Sequence, residues 1–293
     1  MPFDLSSRKL PVIVARISLS IYPQRKYNMP MITQHDILAD LHVHTIASVH
    51  AYSTLRECLE EARLHGMSYL AITDHYYGQG SEVDKKNESN YMSYIEDWAN
   101  PNKFGVKVIG GGEFNVGHDI FREKRLMEDL HWKLYGLHSW FIDRENTTLE
   151  ELFQYFGQNA SKFDAFAHIE RELHKIDHSR YGRELTPEIQ DFLKRLVILA
   201  KEKDIVLEVN EGTLARKEAG APDRLEYWLS VARENGNRIS LGTDAHYCEL
   251  IGNFRRSIAL LNKLEYPKEL IVNCNMEQLD ALLPAKFRER VPK

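Results

Sequence analysis

Seven short apolar runs alternate with helical or polar stretches along this chain, and six of the seven deliver a histidine or a carboxylate at or just beyond their C-terminal end. The runs cover residues 37–43, 68–73, 106–111, 134–137, 164–167, 205–209 and 239–242. Their lengths suit buried strands, and the intervals between them leave room for crossover helices. Alternation of this kind predicts an α/β fold with a parallel sheet. In a closed parallel barrel the C-terminal strand ends converge on one face, where such barrels build their sites. The residues delivered there are His42 and His44, His75, Glu113, His138, His168, then Asp244 and His246. Any one of these histidines alone is more simply a packed or loop residue. Their recurrence at the same end of successive strands predicts a metal site.

The first run shows why. Residues two apart in a strand point to one side, so His42 and His44 project together, with Asp40 on the same side. Paired neutral imidazoles suit zinc, iron, manganese and similar ions. The intervening helices carry their own signals. Ser53 or Thr54 caps a helix with an apolar stripe of Leu55, Leu59, Ala62 and Leu64, ended by Gly66. Thr147 or Thr148 caps the next clear helix, with Glu150 and Glu151 favourable in its first turn. Pro187 opens a helix to Lys203, and Pro222 opens another that Gly236 closes. Residues 254–264 and 276–283 are helical, as are 119–131 and an irregular stretch over 91–99 within a long polar loop. The polar segment 170–184 predicts a solvated loop, with a lid as the alternative, and His174 and His178 are minor substrate-loop candidates. No Gly-x-Gly-x-x-Gly turn or Walker loop supports a nucleotide-binding fold.

A net charge of −5 gives no basic footprint for general nucleic-acid binding. Three scattered cysteines, Cys58, Cys248 and Cys274, argue against a disulfide framework and point to the cytoplasm. No apolar run is long enough to span a bilayer. Arg8-Lys9 before residues 10–22 faintly resembles a signal peptide, but Arg16 interrupts the apolar run and no small-residue cleavage site follows. Residues 1–31 are therefore expected to be an extension outside the core, with 32–293 forming one domain.

Six motifs in chain order carry a resemblance: Asp40-x-His-x-His, Thr73-Asp74-His75, Gly112-Glu113, Gly136-Leu137-His138, Ala167-His168 and Gly242-Thr243-Asp244-Ala245-His246. Together they resemble the polymerase and histidinol phosphatase (PHP) superfamily, and the run from Asp40 to Ser53 is especially similar to its stand-alone YcdX-type phosphatases. The resemblance covers roughly residues 37–283. It implies a distorted seven-stranded (β/α)7 TIM-like barrel with a trinuclear metal site. Carried over by motif, His42, His44, Glu113 and Asp244 would hold one ion. Glu113, His138 and His168 would hold a second, and His50, His75 and His246 a third. Asp40 and Asp74 would orient imidazoles from behind. Arg216, in a segment similar to one of histidinol phosphatases, is the first candidate to grip phosphate and Arg171 the second. The family often has a proline after the fifth-strand histidine, whereas Ile169-Glu170-Arg171 follows His168 here.

The expected activity is metal-dependent hydrolysis of a small phosphomonoester by metal-activated hydroxide, a phosphatase reaction. Zinc is the first expectation for the three divalent ions, with manganese or iron as alternatives. Cleavage of phosphodiesters in short nucleic acids or dinucleotides, or of histidinol phosphate, would use the same chemistry. The expected partner is a small phosphorylated substrate, with no membrane, and self-association into a homo-oligomer is left open.

Overall fold

The computed structural model describes residues 31–48, 50–75, 104–116, 130–138, 142–143, 146–176, 184–215 and 220–283. The expected helix over 91–99 and residues 119–129 of the one expected over 119–131, together with His118, His178 and Arg216, lie outside the described residues, and Leu130 and His131 are not helical.

Seven parallel strands follow one another in the sheet in chain order. They are β1 (Ala39–Val43), β2 (Tyr69–Ile72), β3 (Lys107–Asn115), β4 (Trp132–Gly136), β5 (Ala165–Ala167), β6 (Val206–Asn210) and β7 (Ile239–Gly242). The last strand returns to the first. Val43 bridges Ala245, the amide of His44 donates to the Ala245 carbonyl at 2.9 Å, and the amide of Asp244 donates to the His42 carbonyl at 2.8 Å. The result is the nearly closed, distorted (β/α)7 barrel expected from the alternation.

The period-two pattern of the strands sorts apolar side chains into two sets. Ala39, Leu41, Tyr69, Ala71, Ile109, Trp132, Leu134, Ala165, Ala167 and Val206 meet in a small cluster drawn from six strands. This is the barrel interior, plugged by Val272, Leu279 and Leu283 from the C-terminal segment. Alternate residues such as Leu70, Ile72 and Leu207, and Val43 beyond a break in the β1 register, join the larger cluster formed with the helices. The β3 strand is longer than expected, because its first half pairs with β2 and its second half with β4. Gly111 sits at that changeover. A Cβ there would fall 2.5 Å from the Trp132 carbonyl oxygen, so only glycine fits between the two partners.

Among the described residues the α-helices are α1 (Leu55–Leu64), α2 (Leu149–Asn159), α3 (Ile169–Glu172), α4 (Pro187–Glu202), α5 (Glu211–Ala215), α6 (Ala221–Asn235), α7 (Arg255–Lys263) and α8 (Met276–Ala281). Thr54, Thr148 and Thr186 cap α1, α2 and α4 by accepting the amides of Glu57, Glu151 and Ile189. Gly236 closes α6 in the left-handed conformation at φ +64°. Two expectations need correction. Leu64 is 70 % exposed, because two residues beyond Ala62 a helix has turned to its opposite face. The segment after His168 is not a solvated loop at its start. It forms α3 and a 3-10 turn (Leu173–Lys175), and Ile169, Leu173 and Ile176 are buried at helical spacing despite the polar residues between them. Among the described residues no helix is long and apolar enough to cross a membrane.

The entry to β1 is pinned by Asp36, which accepts the backbone amide and hydroxyl of Thr33 and the ammonium of Lys268. The Lys268 hydrogen bond and then the Thr33 amide bring its carboxyl from 3.8 down to about 2. A depressed folded-state value means that its stabilising contribution is complete above pH 3.8 and is lost as pH falls through about 2. Asp36→Asn should therefore lower Tm at neutral pH, and the gap to wild type should close as pH falls across that window. Parallel Tm curves with a constant gap would assign Asp36 no such role.

Candidate metal centre

All nine candidate ligand residues meet at the C-terminal ends of the strands. From β1, His42 and His44 present their Nε2 atoms 3.0 Å apart. A break in the β1–β2 register falls between Asp40 and Val43, a distortion that commonly re-aims side chains beside sites. Glu113 lies within β3 rather than beyond it, and is the central carboxylate. Its Oε1 lies 2.5 Å from His168 Nε2 and 3.4 Å from His138 Nε2. Its Oε2 lies 2.8 Å from His75 Nδ1 and 3.5 Å from both His42 and His44 Nε2. Asp244 Oδ1 stands 3.2 Å from His44 Nε2. On the outer side, His50 Nε2 is 3.2 Å from His75 Nε2 and 2.9 Å from His246 Nε2. His42, His44, Glu113 and His168 are buried, whereas His50 is exposed and His246 about one quarter so. The cluster therefore opens to solvent on the His50–His246 side.

Two of these residues leave their strands in an unusual way. His168 has φ +33° and Asp244 φ +56°, the left-handed region that costs a residue with a Cβ about 1–3 kcal/mol. Each turns sharply off the end of its strand, β5 or β7, and the turn brings its side chain to Glu113 or to His44.

A second layer fixes the imidazoles. Glu208 of β6 places Oε1 2.5 Å from His42 Nδ1. Ser48 Oγ lies 3.0 Å from His44 Nδ1 and donates to Asp74 Oδ1 at 2.6 Å. The Asn115 side-chain oxygen contacts His138 Nδ1, and the Asp244 carbonyl is 2.9 Å from His246 Nδ1. With Nδ1 engaged, all four histidines turn Nε2 toward the common centre, the arrangement that metal-ligating histidines usually show. Asp74 thus acts on His44 through Ser48 rather than by touching a ring. Asp40 does not turn to an imidazole. It accepts the amide and hydroxyl of Thr243 at 3.0 and 2.6 Å and the Gly252 amide at 3.1 Å, bracing the β7 turn against β1. Burial pushes its carboxyl up to about 6 against the pull of those donors. Glu208, Ser48 and Asn115 were not singled out as site residues by the sequence. A lone Glu within the apolar run Val-Leu-Glu-Val was the available signal, since a buried carboxylate requires a partner.

Arg171, expected at the phosphate, instead donates from Nη1 to Asp244 Oδ2 at 2.6 Å. His174 lies outside the cluster, with Nδ1 2.9 Å from the Arg171 carbonyl.

The electrostatics fit divalent cations. Burial opposes charge on Glu113, Asp244, His44 and His138. For Glu113 the surrounding His138, His75, His42 and His168 outweigh it, holding the carboxyl well below the usual range. Asp244 is likewise held low, chiefly by His42 and Arg171 acting against burial. Burial, reinforced by His75, pushes His44 well below 6.5, and burial lowers His138 in the same direction. Both thus favour the neutral form that binds metal. Glu113 Oε2 and His75 Nδ1 are buried and 2.8 Å apart, yet neither has a hydrogen-bond partner. Such orphaned, convergent lone pairs are what an ion would satisfy. Four triplets each bring three ligand atoms within 4.8 Å of one another: His42, His44 and Asp244; His42, Glu113 and His168; His75, Glu113 and His138; and His44, His75 and His246. Only the first falls within an expected grouping: the second and third split His168 and His138 between them, pairing Glu113 with His42 or His75, and the last has His44 in the place of His50.

The family model of the PHP domain matches residues 40–212. A protein of Clostridium acetobutylicum named "probable phosphatase" is 28 % identical over 265 residues, covering 85 % of this chain and 95 % of its own. One of the same description from Edwardsiella ictaluri is 27 % identical over 260 residues, covering 87 % and 97 %. Among solved structures, the histidinol phosphate phosphatase of Lactococcus lactis, determined with zinc, L-histidinol and phosphate, superposes with a TM-score of 0.52 at 19 % identity, covering 78 % of this chain and 94 % of that one.

Proposed function

The chain belongs to the PHP domain family, and on that premise we propose that it is a metal-dependent phosphatase that hydrolyses a small phosphomonoester. The observation that carries the proposal is the convergence of eight candidate ligand side chains around one carboxylate, Glu113, which lies within 3.5 Å of five imidazoles. The curated relatives described as phosphatases support the reaction class, and the Lactococcus enzyme, solved with phosphate and histidinol, supports a small substrate. Nine donors suffice for three ions that share Glu113, since a catalytic zinc takes about three protein ligands. Zinc is the first candidate, with manganese or iron as alternatives.

When bound, divalent ions would supply Lewis acidity and an acidified water. The protein supplies the rest. Glu208, Ser48 and Asn115 lock His42, His44 and His138 with Nε2 facing inward. Glu113 and Asp244 bring negative charge, with which the centre would hold cations able to offset the charge of a phosphate. The buried inner wall excludes bulk water, and the His50–His246 opening admits the phosphate end of a substrate. Arg216 remains a proposed phosphate grip. Residues 1–31 are proposed to be an extension of a cytoplasmic barrel domain.

Elemental analysis of the purified protein, with phosphate release measured on the same sample and on His42→Ala, tests the reading. We expect close to three ions per chain and release from a phosphomonoester panel in wild type. In His42→Ala both should fall. A metal-replete wild type that releases no phosphate from any monoester would overturn the assignment.

A further inference from the structure

The two oxygens of Asp244 serve different neighbours. Oδ1 faces the imidazoles, 3.2 Å from His44 Nε2 and 3.6 Å from His42 Nε2. Oδ2 faces away from them, accepting Nη1 of Arg171 at 2.6 Å with Asn210 Nδ2 at 3.5 Å. A carboxylate at a metal centre binds through one oxygen or two, and a charge-assisted bond on the second oxygen removes that choice. The left-handed turn of Asp244 at φ +56° sets where its side chain leaves the strand end, and the rotation of the carboxylate is set by the partners of its two oxygens.

Arg171 is itself held. It lies on α3, whose carbonyls point at a fully buried arginine of α6. Arg224 Nε donates to the Glu170 carbonyl at 2.7 Å and Nη2 to the Arg171 carbonyl at 3.5 Å. A guanidinium with no exposure in an apolar core is costly unless its donors are used. Here it ties α6 to the turn that carries Arg171. The chain of contacts runs Arg224, α3 backbone, Arg171, Asp244.

We propose that Arg171 is a positioning residue of the metal centre, reserving Asp244 Oδ2 so that Oδ1 alone serves as ligand, and that Arg224 is the buried anchor that keeps it there. This rests on the metal-centre reading above. It gives Arg171 a task different from phosphate gripping, and the two tasks separate by experiment. Positioning acts on metal affinity before any substrate is present, whereas gripping acts on KM with the metals in place.

The test is zinc affinity by competition with a metallochromic chelator, without substrate, on wild type, Arg171→Gln, Arg171→Lys and Arg224→Met. Steady-state kinetics at saturating zinc would follow. Arg171→Gln should weaken zinc binding by about 10–100-fold, the usual cost of losing a partner of a metal ligand. Arg171→Lys, which keeps the charge but not the fork, should recover part of that loss and carries the test if the Gln variant does not fold. Arg224→Met should weaken zinc binding in the same direction by a smaller factor. If Arg171→Gln binds zinc as tightly as wild type and only KM rises, Arg171 grips phosphate and the proposal is wrong. Wild type that binds zinc and releases phosphate in that experiment would leave the phosphatase reading standing. Wild type that binds no zinc would remove both.

Discussion

Glu113→Gln is expected to reduce phosphate release by on the order of 10³-fold, the loss of several kcal/mol of charge stabilisation at the reacting centre. The substitution keeps the shape of the side chain and removes its charge. Glu113 touches more of the cluster than any other described member, with five imidazoles within 3.5 Å. An amide offers one oxygen where the carboxylate offers two, and its NH2 turns a donor toward whichever imidazole loses the other. Metal content should fall with activity, because a shared ligand serves more than one ion. The measurement is elemental analysis after reconstitution, paired with phosphate release at saturating metal. A variant that keeps its ions and most of its rate would show that Glu113 is a structural acid and not a shared ligand.

Gly242→Ala should damage stability and site together. A Cβ at this β7 position would lie 2.4 Å from the His42 Cβ and 2.5 Å from Glu208 Oε1. The His42 Cβ is bonded to the backbone and cannot rotate aside, so β1 and β7 must part. Overpacking of this kind costs about 1–3 kcal/mol, and the same methyl displaces Glu208 from His42 Nδ1. We expect a lower urea midpoint in the metal-free protein and weaker zinc binding on top of it. Wild-type values for both would mean that the closeness of β1 and β7 is not needed.

The sequence made the strands legible because each is a short apolar run between turn signals, and β7 came out at residues 239–242 as expected. It makes the candidate ligand positions legible because histidines and carboxylates recur at one end of those runs. The second layer was harder. Glu208 was visible as an acid in a buried strand, but His42 lies 166 residues away, and nothing local says which ring it meets. The family resemblance puts Asp40 behind an imidazole, and strand alternation puts it on the same side as His42 and His44. The register break in β1 and the turn at Thr243 decided otherwise. The segment after His168 reads as a solvated loop because its charged residues dominate the composition, while three spaced apolar residues, Ile169, Leu173 and Ile176, are buried at helical spacing.

The strand order has a consequence for how the molecule comes together. His42 and His44 stand on the first strand, Asp244 and His246 just beyond the last, and the two strands meet through few backbone bonds. An ion held by both pairs would act as a clasp on the weakest join of the wall. It could not be captured until the final strand had docked, since no earlier portion of the polypeptide holds both halves. A nascent or truncated chain would then be unable to acquire its activity early, and cation capture would report that the ring had closed.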